Sequence, residues 1–425
     1  MADRLIRGGR IVDPSQALDA QRDIRIRDGL IVEIGEHLGT AAGDDVVDAR
    51  GTIVAPGLID MHVHLREPGF PYKETIATGT HAAVRGGFTA VACMPNTNPA
   101  LDDPEVLDAL AAIVARDARC RVYPIAAITR ARAGEQITDA RALAHHGAVA
   151  FSDDGNTIAN ARVLREAALA ARDLPGPFIS HAEDDDLKGD AVMTLGATSQ
   201  ALGVPGVPSV AEDVIVARDL LIALDTGKAW HIAHLSTARS IDLVRWARAR
   251  GAAASAEATP HHLLFTDADV AELGAAAKVN PPLRSQADAR ALRDAVRDGS
   301  IDVLATDHAP HTREEKSGDL GAAAVGFTGL EIAVGAYALA LPDVSVTRFV
   351  DLLSCAPARI LGIPGGTLRP GSHADLTLMA DRPWIVDPAR FASKGRATPL
   401  AGRTLPRSVV MTIVAGEIAF RDDYF

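Results

Sequence analysis

Eight short apolar runs recur through the middle of this 425-residue chain, at 58–61, 89–93, 122–127, 148–151, 177–180, 229–233, 252–256 and 301–305. Helical patterns lie between most of them, as at 104–116, 160–172, 211–224, 238–250 and 287–297. Strand and helix alternating eight times is the pattern of a closed (β/α)8 barrel of TIM type, in the α/β class. Such a barrel absorbs about 300 residues as one unit, which the length allows. No tandem repeat interrupts the pattern, and the alanine richness favours helices without implying a function.

Both ends of the chain read differently. Asp23-Ile24-Arg25-Ile26-Arg27 alternates, Asp28-Gly29 supplies a hairpin turn, and Leu30-Ile31-Val32 follows. Near the other end, 374–379 reads as a strand and 409–420 as a hairpin turning at Ala415-Gly416. Short strands need partners to bury a face. Residues 1–56 and 367–425 are therefore expected to build one small β domain, with 57–366 forming the barrel.

Polar groups gather where the barrel strands end. HVHLRE follows the first run, MPNTNP the second, SDDG the fourth, His181-Ala182-Glu183 the fifth and His234-Leu235-Ser236 the sixth. TPHH follows the seventh, and Thr306-Asp307-His308-Ala309-Pro310-His311 the eighth. The carboxyl ends of the strands form the catalytic face of such a barrel. His62 and His64 stand two residues apart at a strand end, so both imidazoles can share one face.

A ligand set of His62, His64, Asp154, His181, His234 and Asp307 offers four imidazoles and two carboxylates. That set suits Zn²⁺ or a similar divalent ion, and a carboxylate can bridge two ions. Each residue also has a structural reading. Asp153 and Asp154 could form a cap or an Asx turn before Gly155, and for Asp153 both readings stand. His231 lies off the strand face of His234 and reads as a buried histidine. His145 and His146 read as solvated, and His261 and His262 as structural or supporting. Six such residues at matching strand ends are hard to explain as core packing.

Composition removes other classes of function. The net charge of −12 argues against nucleic-acid or anionic-membrane surfaces. An aromatic content of 4% argues against base-stacking platforms. Cys93, Cys120 and Cys355 form no CxxC pair, which fits a reducing compartment. The first residues, MADRLIRGGRIVDP, lack the continuous apolar core of a signal peptide, and no run is long enough to span a bilayer. A cytoplasmic protein without nucleic-acid or membrane partners is expected.

Taken in order, DMHVHLREPG, KETIATGT, RGGFTAVACMPNTNP, FSDDG, ISHAED, HIAHLST, ATPHHLL, KVNPPLR, ATDHAPHTREEK and FASKGRATPLAG span nearly the whole chain. In these segments the chain resembles the class I dihydroorotases of the amidohydrolase superfamily. The resemblance implies a barrel with a small β domain from both termini. It also implies reversible hydrolysis of (S)-dihydroorotate to N-carbamoyl-L-aspartate in pyrimidine (UMP) synthesis, with one or two Zn²⁺ per subunit. By motif, His62, His64 and Asp307 are expected on one ion and His181 and His234 on the other, with Asp154 bridging. Arg66, Asn96, Asn280 and His311 match substrate-binding positions, and Val325-Gly326 matches a backbone contact, although the valine departs from the family pattern.

Hydantoinases, dihydropyrimidinases and allantoinases bridge their metals with a carboxylated lysine after strand four. Here no lysine occurs between Lys73 and Lys188, so an aspartate bridge must serve. Opening a cyclic amide at neutral pH needs an activated water, and a divalent ion lowers the pKa of bound water to roughly 7. Asp307 is expected to pass the proton to the leaving ring nitrogen. The planar fork of Arg66 suits the substrate carboxylate. Residues 312–326 follow strand eight and read either as a flap that excludes water or as an exposed connector.

Other readings are a hydantoinase or allantoinase, a metal-binding module without catalysis, and a non-catalytic scaffold for aspartate carbamoyltransferase. The complete metal shell counts against the scaffold. A homo-oligomer is expected, and partnership with the transferase is compatible with activity.

Overall fold

All eight apolar runs form parallel strands in the computed structural model, which describes residues 3–423. They are β1 (Leu58–Val63), β2 (Phe88–Cys93), β3 (Arg121–Ala126), β4 (Ala150–Phe151), β5 (Phe178–Ser180), β6 (Trp230–Ile232), β7 (Ala254–Ala258) and β8 (Val303–Leu304). Each pairs with its successor in sequence. The ring closes just beyond β8, where Val63 bridges His308 and the His64 amide donates to the His308 carbonyl at 2.9 Å. Closure thus falls among the residues expected to do chemistry.

The pleat sorts side chains to two faces. Ile59, Met61, Ala90, Ala92, Ile125, Ala150, Ile179 and Val303 form one apolar cluster drawn from strands around the ring. Strands on opposite sides meet only inside the barrel, so this cluster is its filling. Phe88, Phe151, Phe178 and Trp230 belong to the larger cluster shared with the surrounding helices. An unbroken pleat through Ile59 and Met61 would send His62 outward. The β1–β2 register breaks between Asp60 and Val63, and such bulges re-aim side chains beside active sites.

The helices start where sequence chemistry places them. Asp103 caps Pro104–Asp117 with proline in its first turn, Asn160 caps Ala161–Ala170, and Thr237 caps Ala238–Arg248. A second sheet joins both parts of the chain. Its order runs Glu417–Arg421, Ser408–Val414, Leu376–Ala380, Ile53–Pro56, Arg4–Asp13, Leu18–Arg27 and Leu30–Gly35, with Asp45–Asp48 also on Arg4–Asp13.

The segment around residues 391–398 leaves that sheet and lies against the barrel mouth. Ser393 bonds Glu74, and the Thr328 amide donates to the Ala397 carbonyl at 2.9 Å. Gly395 abuts Pro310 so closely that a Cβ there would lie 2.8 Å from the proline side chain. No helix among the described residues is long and apolar enough to cross a membrane.

Candidate metal centre and substrate pocket

Six strand-end residues converge. His62 Nε2 lies 3.4 Å from Asp154 Oδ1 and 3.5 Å from Asp307 Oδ1. His64 Nε2 lies 3.1 Å from Asp307 Oδ1 and 3.7 Å from Asp154 Oδ2. His181 Nδ1 lies 3.8 Å from Asp154 Oδ1 and 3.0 Å from His234 Nε2. Asp154 belongs to two clusters able to hold a cation, one with His62 and His64 and the other with His181 and His234. All six residues are buried.

The backbone holds three site residues in an uncommon conformation. Arg66 (φ 65°), His234 (φ 32°) and Asp307 (φ 48°) occupy the left-handed side of backbone space. For residues other than glycine this costs on the order of 1–3 kcal/mol each and gathers at functional sites.

The donor set fits divalent cations. His62 Nε2 and Asp154 Oδ1 are buried and lack hydrogen-bond partners among the described residues. Buried polar atoms are nearly always satisfied, so this pair of orphaned positions fits a bound cation. The electrostatics agree. Burial opposes charge on Asp154, yet His62, His64 and His181 hold its carboxyl well below the usual range. Burial likewise opposes charge on Asp307, and His62 and His64 outweigh it. Burial and the nearby His181 and His62 push His234 down to about 3, leaving a neutral imidazole suited to ligation. Around His62, the carboxylates of Glu257, Asp154 and Asp307 outweigh burial and favour an added positive charge. A metal ion would satisfy the same field.

Outer partners fix these rings. His62 Nδ1 lies 2.6 Å from Glu257 Oε1, and Glu257 Oε2 lies 3.1 Å from His231 Nε2. Glu257 also accepts from the His234 amide at 3.1 Å. Carboxylates behind ligating histidines orient them and raise their basicity. Glu183 stands behind His181, 3.8 Å from its Nε2, and pairs with Lys188. Although burial opposes its charge, His181 and Lys188 hold Glu183 at about 2. Sequence reading left Glu257, Glu183 and Lys188 without roles. The available signal was a lone glutamate in the alanine-rich β7 run, and an acid two residues after His181.

Arg66 is buried beside the centre, donating from Nε to the Pro310 carbonyl at 3.2 Å and facing His311 Nε2 at 3.2 Å from Nη2. His311 Nε2 also lies 2.9 Å from the Val325 carbonyl. Its two tautomers therefore serve different neighbours, one donating to Val325 and the other accepting from Arg66. Val325 meets this site through its backbone, and its side chain is exposed. Gly326 has φ 103°, and a Cβ there would collide with Ala309. Asn96 engages the centre directly, with Oδ1 2.9 Å from His64 Nδ1 and Nδ2 3.5 Å from Asp154 Oδ2. Asn280 stands apart from these; in the amide orientation that satisfies both of its ends, the oxygen accepts from Lys188 Nζ at 2.7 Å and the nitrogen donates to the Val279 carbonyl at 3.0 Å.

Neighbouring candidates resolve differently. Asp153 accepts from the Ile128 and Thr129 amides at 2.8 and 3.0 Å, so it braces the loop after β3. His231 is buried between Ser255 and Glu257. His262 bonds Thr259 and the Pro281 carbonyl, and His261 packs on Phe327. His146 sits partly exposed on Asp108. Residues 312–326 are pinned at several points: Glu315 to Lys73 at 2.8 Å, Lys316 Nζ to the Ala324 carbonyl at 2.8 Å, and Lys278 Nζ to the Gly321 carbonyl at 2.9 Å.

Comparison with known proteins agrees with this geometry. Residues 51–240 match the model of the Dihydro-orotase-like family. The chain is 50% identical to a dihydroorotase of Pelotomaculum thermopropionicum, over 98% of each chain. It is 44% identical to a dihydroorotase of Syntrophus aciditrophicus, over 99% of each. Among solved structures, an L-hydantoinase (dihydropyrimidinase) from Arthrobacter aurescens superposes with a TM-score of 0.87 at 23% identity, covering 98% of this chain and 96% of that one. A D-hydantoinase gives 0.86 at 22%, over 99% and 95%. At such identity the hydantoinases share the barrel and its attached sheet, and the likeness shows fold alone. End-to-end identity with the dihydroorotases, around a pocket in which one aspartate serves two pairs of histidines, means that this chain belongs to the dihydroorotase family.

Proposed function

We propose that this enzyme is a zinc-dependent dihydroorotase, hydrolysing (S)-dihydroorotate reversibly to N-carbamoyl-L-aspartate in pyrimidine synthesis. One observation carries the reading. Asp154 is common to both histidine pairs, and no lysine stands between β4 and β5 to be carboxylated. Arg66 lies against the same pocket wall, ready for a substrate carboxylate.

Residue roles follow from position. His62, His64 and Asp307 would hold one ion, His181 and His234 another, with Asp154 between them. Ions bound there supply a water acidified toward neutral pKa and a polarised substrate carbonyl. Arg66 receives the carboxylate as a planar fork, and His311 supports it from the same side. Asn96 adds an amide while holding His64. Asn280, through Lys188, and the Val325-Gly326 backbone complete the substrate contacts.

Asp307 is the proton carrier. It sits 3.1 Å from His64 Nε2 at the strand ends, where its carboxylate is placed to accept a proton from the attacking water and deliver it to the leaving ring nitrogen. In the ring-closing direction the same carboxylate takes the proton from the carbamoyl nitrogen. Burial of the pocket strengthens each of these charge contacts.

The hydantoinase alternative shares the fold but not the bridge. Assaying ring opening of dihydroorotate, hydantoin and allantoin side by side separates them, with dihydroorotate expected to be the substrate turned over. Preferential turnover of hydantoin would overturn the assignment. Self-association and pairing with aspartate carbamoyltransferase belong to the same reading and are tested by sizing the purified and mixed proteins. A cytoplasmic location accords with three free, buried cysteines.

A further inference from the structure

Lys188 occupies an unusual place. It ends the short helix Asp185–Lys188 that follows β5, and its ammonium reaches two groups with different duties. One is Glu183, a buried carboxylate standing behind the outer nitrogen of His181. The other is the end of the Asn280 side-chain amide, 2.7 Å away on the loop that carries a substrate position, where only an amide turned with its oxygen toward the ammonium satisfies both groups. The opposite half of the centre is built otherwise. There Glu257 backs His62 and is closed by His231, and neither reaches the substrate loop.

Glu183 has little else to hold it. Its Oε1 is buried without a hydrogen-bond partner among the described residues, and its Oε2 is the atom shared by His181 and Lys188. The Thr157 hydroxyl anchors the backbone on both sides, bonding the His181 carbonyl at 2.8 Å and the Glu183 carbonyl at 2.6 Å. The carboxylate therefore has a fixed base and one adjustable cation. Displacing Lys188 would leave a buried carboxylate under-satisfied beside His181, and losing the partner behind a ligating histidine typically weakens metal binding 10–100-fold.

We propose that Lys188 is a positioning residue that couples substrate capture to ion retention at the His181/His234 half of the centre. Through Glu183 it keeps the His181 ring turned with Nδ1 inward, and through Asn280 it steadies the substrate loop. The inference rests on the metal-centre reading above. Linkage requires the coupling to be reciprocal: ligand on the loop tightens the ion, and the ion tightens the ligand by the same factor.

The test uses the full chain loaded with Zn²⁺, titrated by chelator competition with and without N-carbamoyl-L-aspartate. In the parent, the ligand is expected to tighten the weaker of two zinc sites. Lys188→Met is expected to weaken that site 10–100-fold, leave the stronger site unchanged, abolish the ligand effect and raise KM for dihydroorotate. Excess zinc should restore kcat but not KM, a split that a merely structural lesion would not produce. Lys188→Arg should recover part of both losses. Should Lys188→Met leave Glu183 too costly to bury, the Glu183→Gln/Lys188→Met pair removes both charges and should show the same uncoupling. Parent-like zinc affinities and ligand effect in these variants would overturn the proposal. A parent that binds no second zinc, or a His181→Ala variant that loses none, would instead bring down the metal-centre reading and this inference with it.

Discussion

Glu257→Gln isolates what a buried carboxylate contributes to the centre. The substitution keeps shape and removes charge from a side chain that is fully buried in β7. Two ring contacts change character, His62 Nδ1 at 2.6 Å and His231 Nε2 at 3.1 Å. Hydrogen bonds to a charged partner contribute roughly 1.5–3 kcal/mol and neutral ones roughly 0.5–1.5, so each contact loses about 1–1.5 kcal/mol. Together that is about 2–3 kcal/mol, or about 30–100-fold in affinity at tenfold per 1.4 kcal/mol. The loss should fall on zinc held by His62, because that ring loses both its orientation and its basicity. Chelator competition on the stripped and reloaded protein reads it directly, with circular dichroism confirming an intact fold. A Glu257→Gln protein that binds zinc within twofold of the parent would refute the reasoning.

Four other perturbations probe separate parts of the site. Asp307→Asn should remove turnover by at least about 100-fold while leaving a folded chain that retains some metal, since general acid–base catalysis contributes typically 10²–10⁴-fold; a normal kcat would remove the proton-carrier role. Arg66→Ala should raise KM for dihydroorotate far more than it lowers kcat, and direct binding measurements showing parent affinity would contradict that. Gly395→Ala should push on Pro310 and disturb the 307–311 loop, costing about 1–3 kcal/mol in urea unfolding and lowering activity; a neutral result would show that the tail does not buttress the mouth. His311 is pushed down to about 4 by burial and by Arg66 and Lys73, from an ordinary 6.5. The unfolded chain therefore binds this proton first, and stability should fall as pH drops from about 6.5 to about 4. In metal-free protein His311→Asn should lose less over that window, and identical profiles would count against the shift.

Much of the fold was legible because its signals are local. Runs of four to six apolar residues flanked by helix caps such as Asp103 and Thr237 need no distant partner to be recognised. The eight strands fell where the runs did, and five helices formed over the patterns that foretold them. The site was legible for a related reason. In a barrel, strand-end residues distant in sequence must meet, so His62, His181 and Asp307 could be grouped without coordinates.

What stayed hidden depends on long-range contact. Glu257 lies inside an alanine-rich strand, and nothing nearby in sequence ties it to His62, 195 positions away. Lys188 and Asn280 meet only once β5 and the loop following β7 are placed side by side. The bulge between Asp60 and Val63 decides which face the HxH pair occupies, and alternation alone gives no hint of it. Asn96 was expected among the substrate contacts, whereas its amide also holds His64 and Asp154. The buttressing of the mouth by residues 391–398 likewise needs Glu74 and Ser393 in contact, 319 positions apart.

Anomalous scattering at the zinc edge, from crystals grown with zinc, reads the divalent centre itself. Two peaks should lie within ligand distance of Asp154, one flanked by His62 and His64 and the other by His181 and His234. A fully active crystal form with no peak touching Asp154 would contradict a hydrolase built on that shared carboxylate.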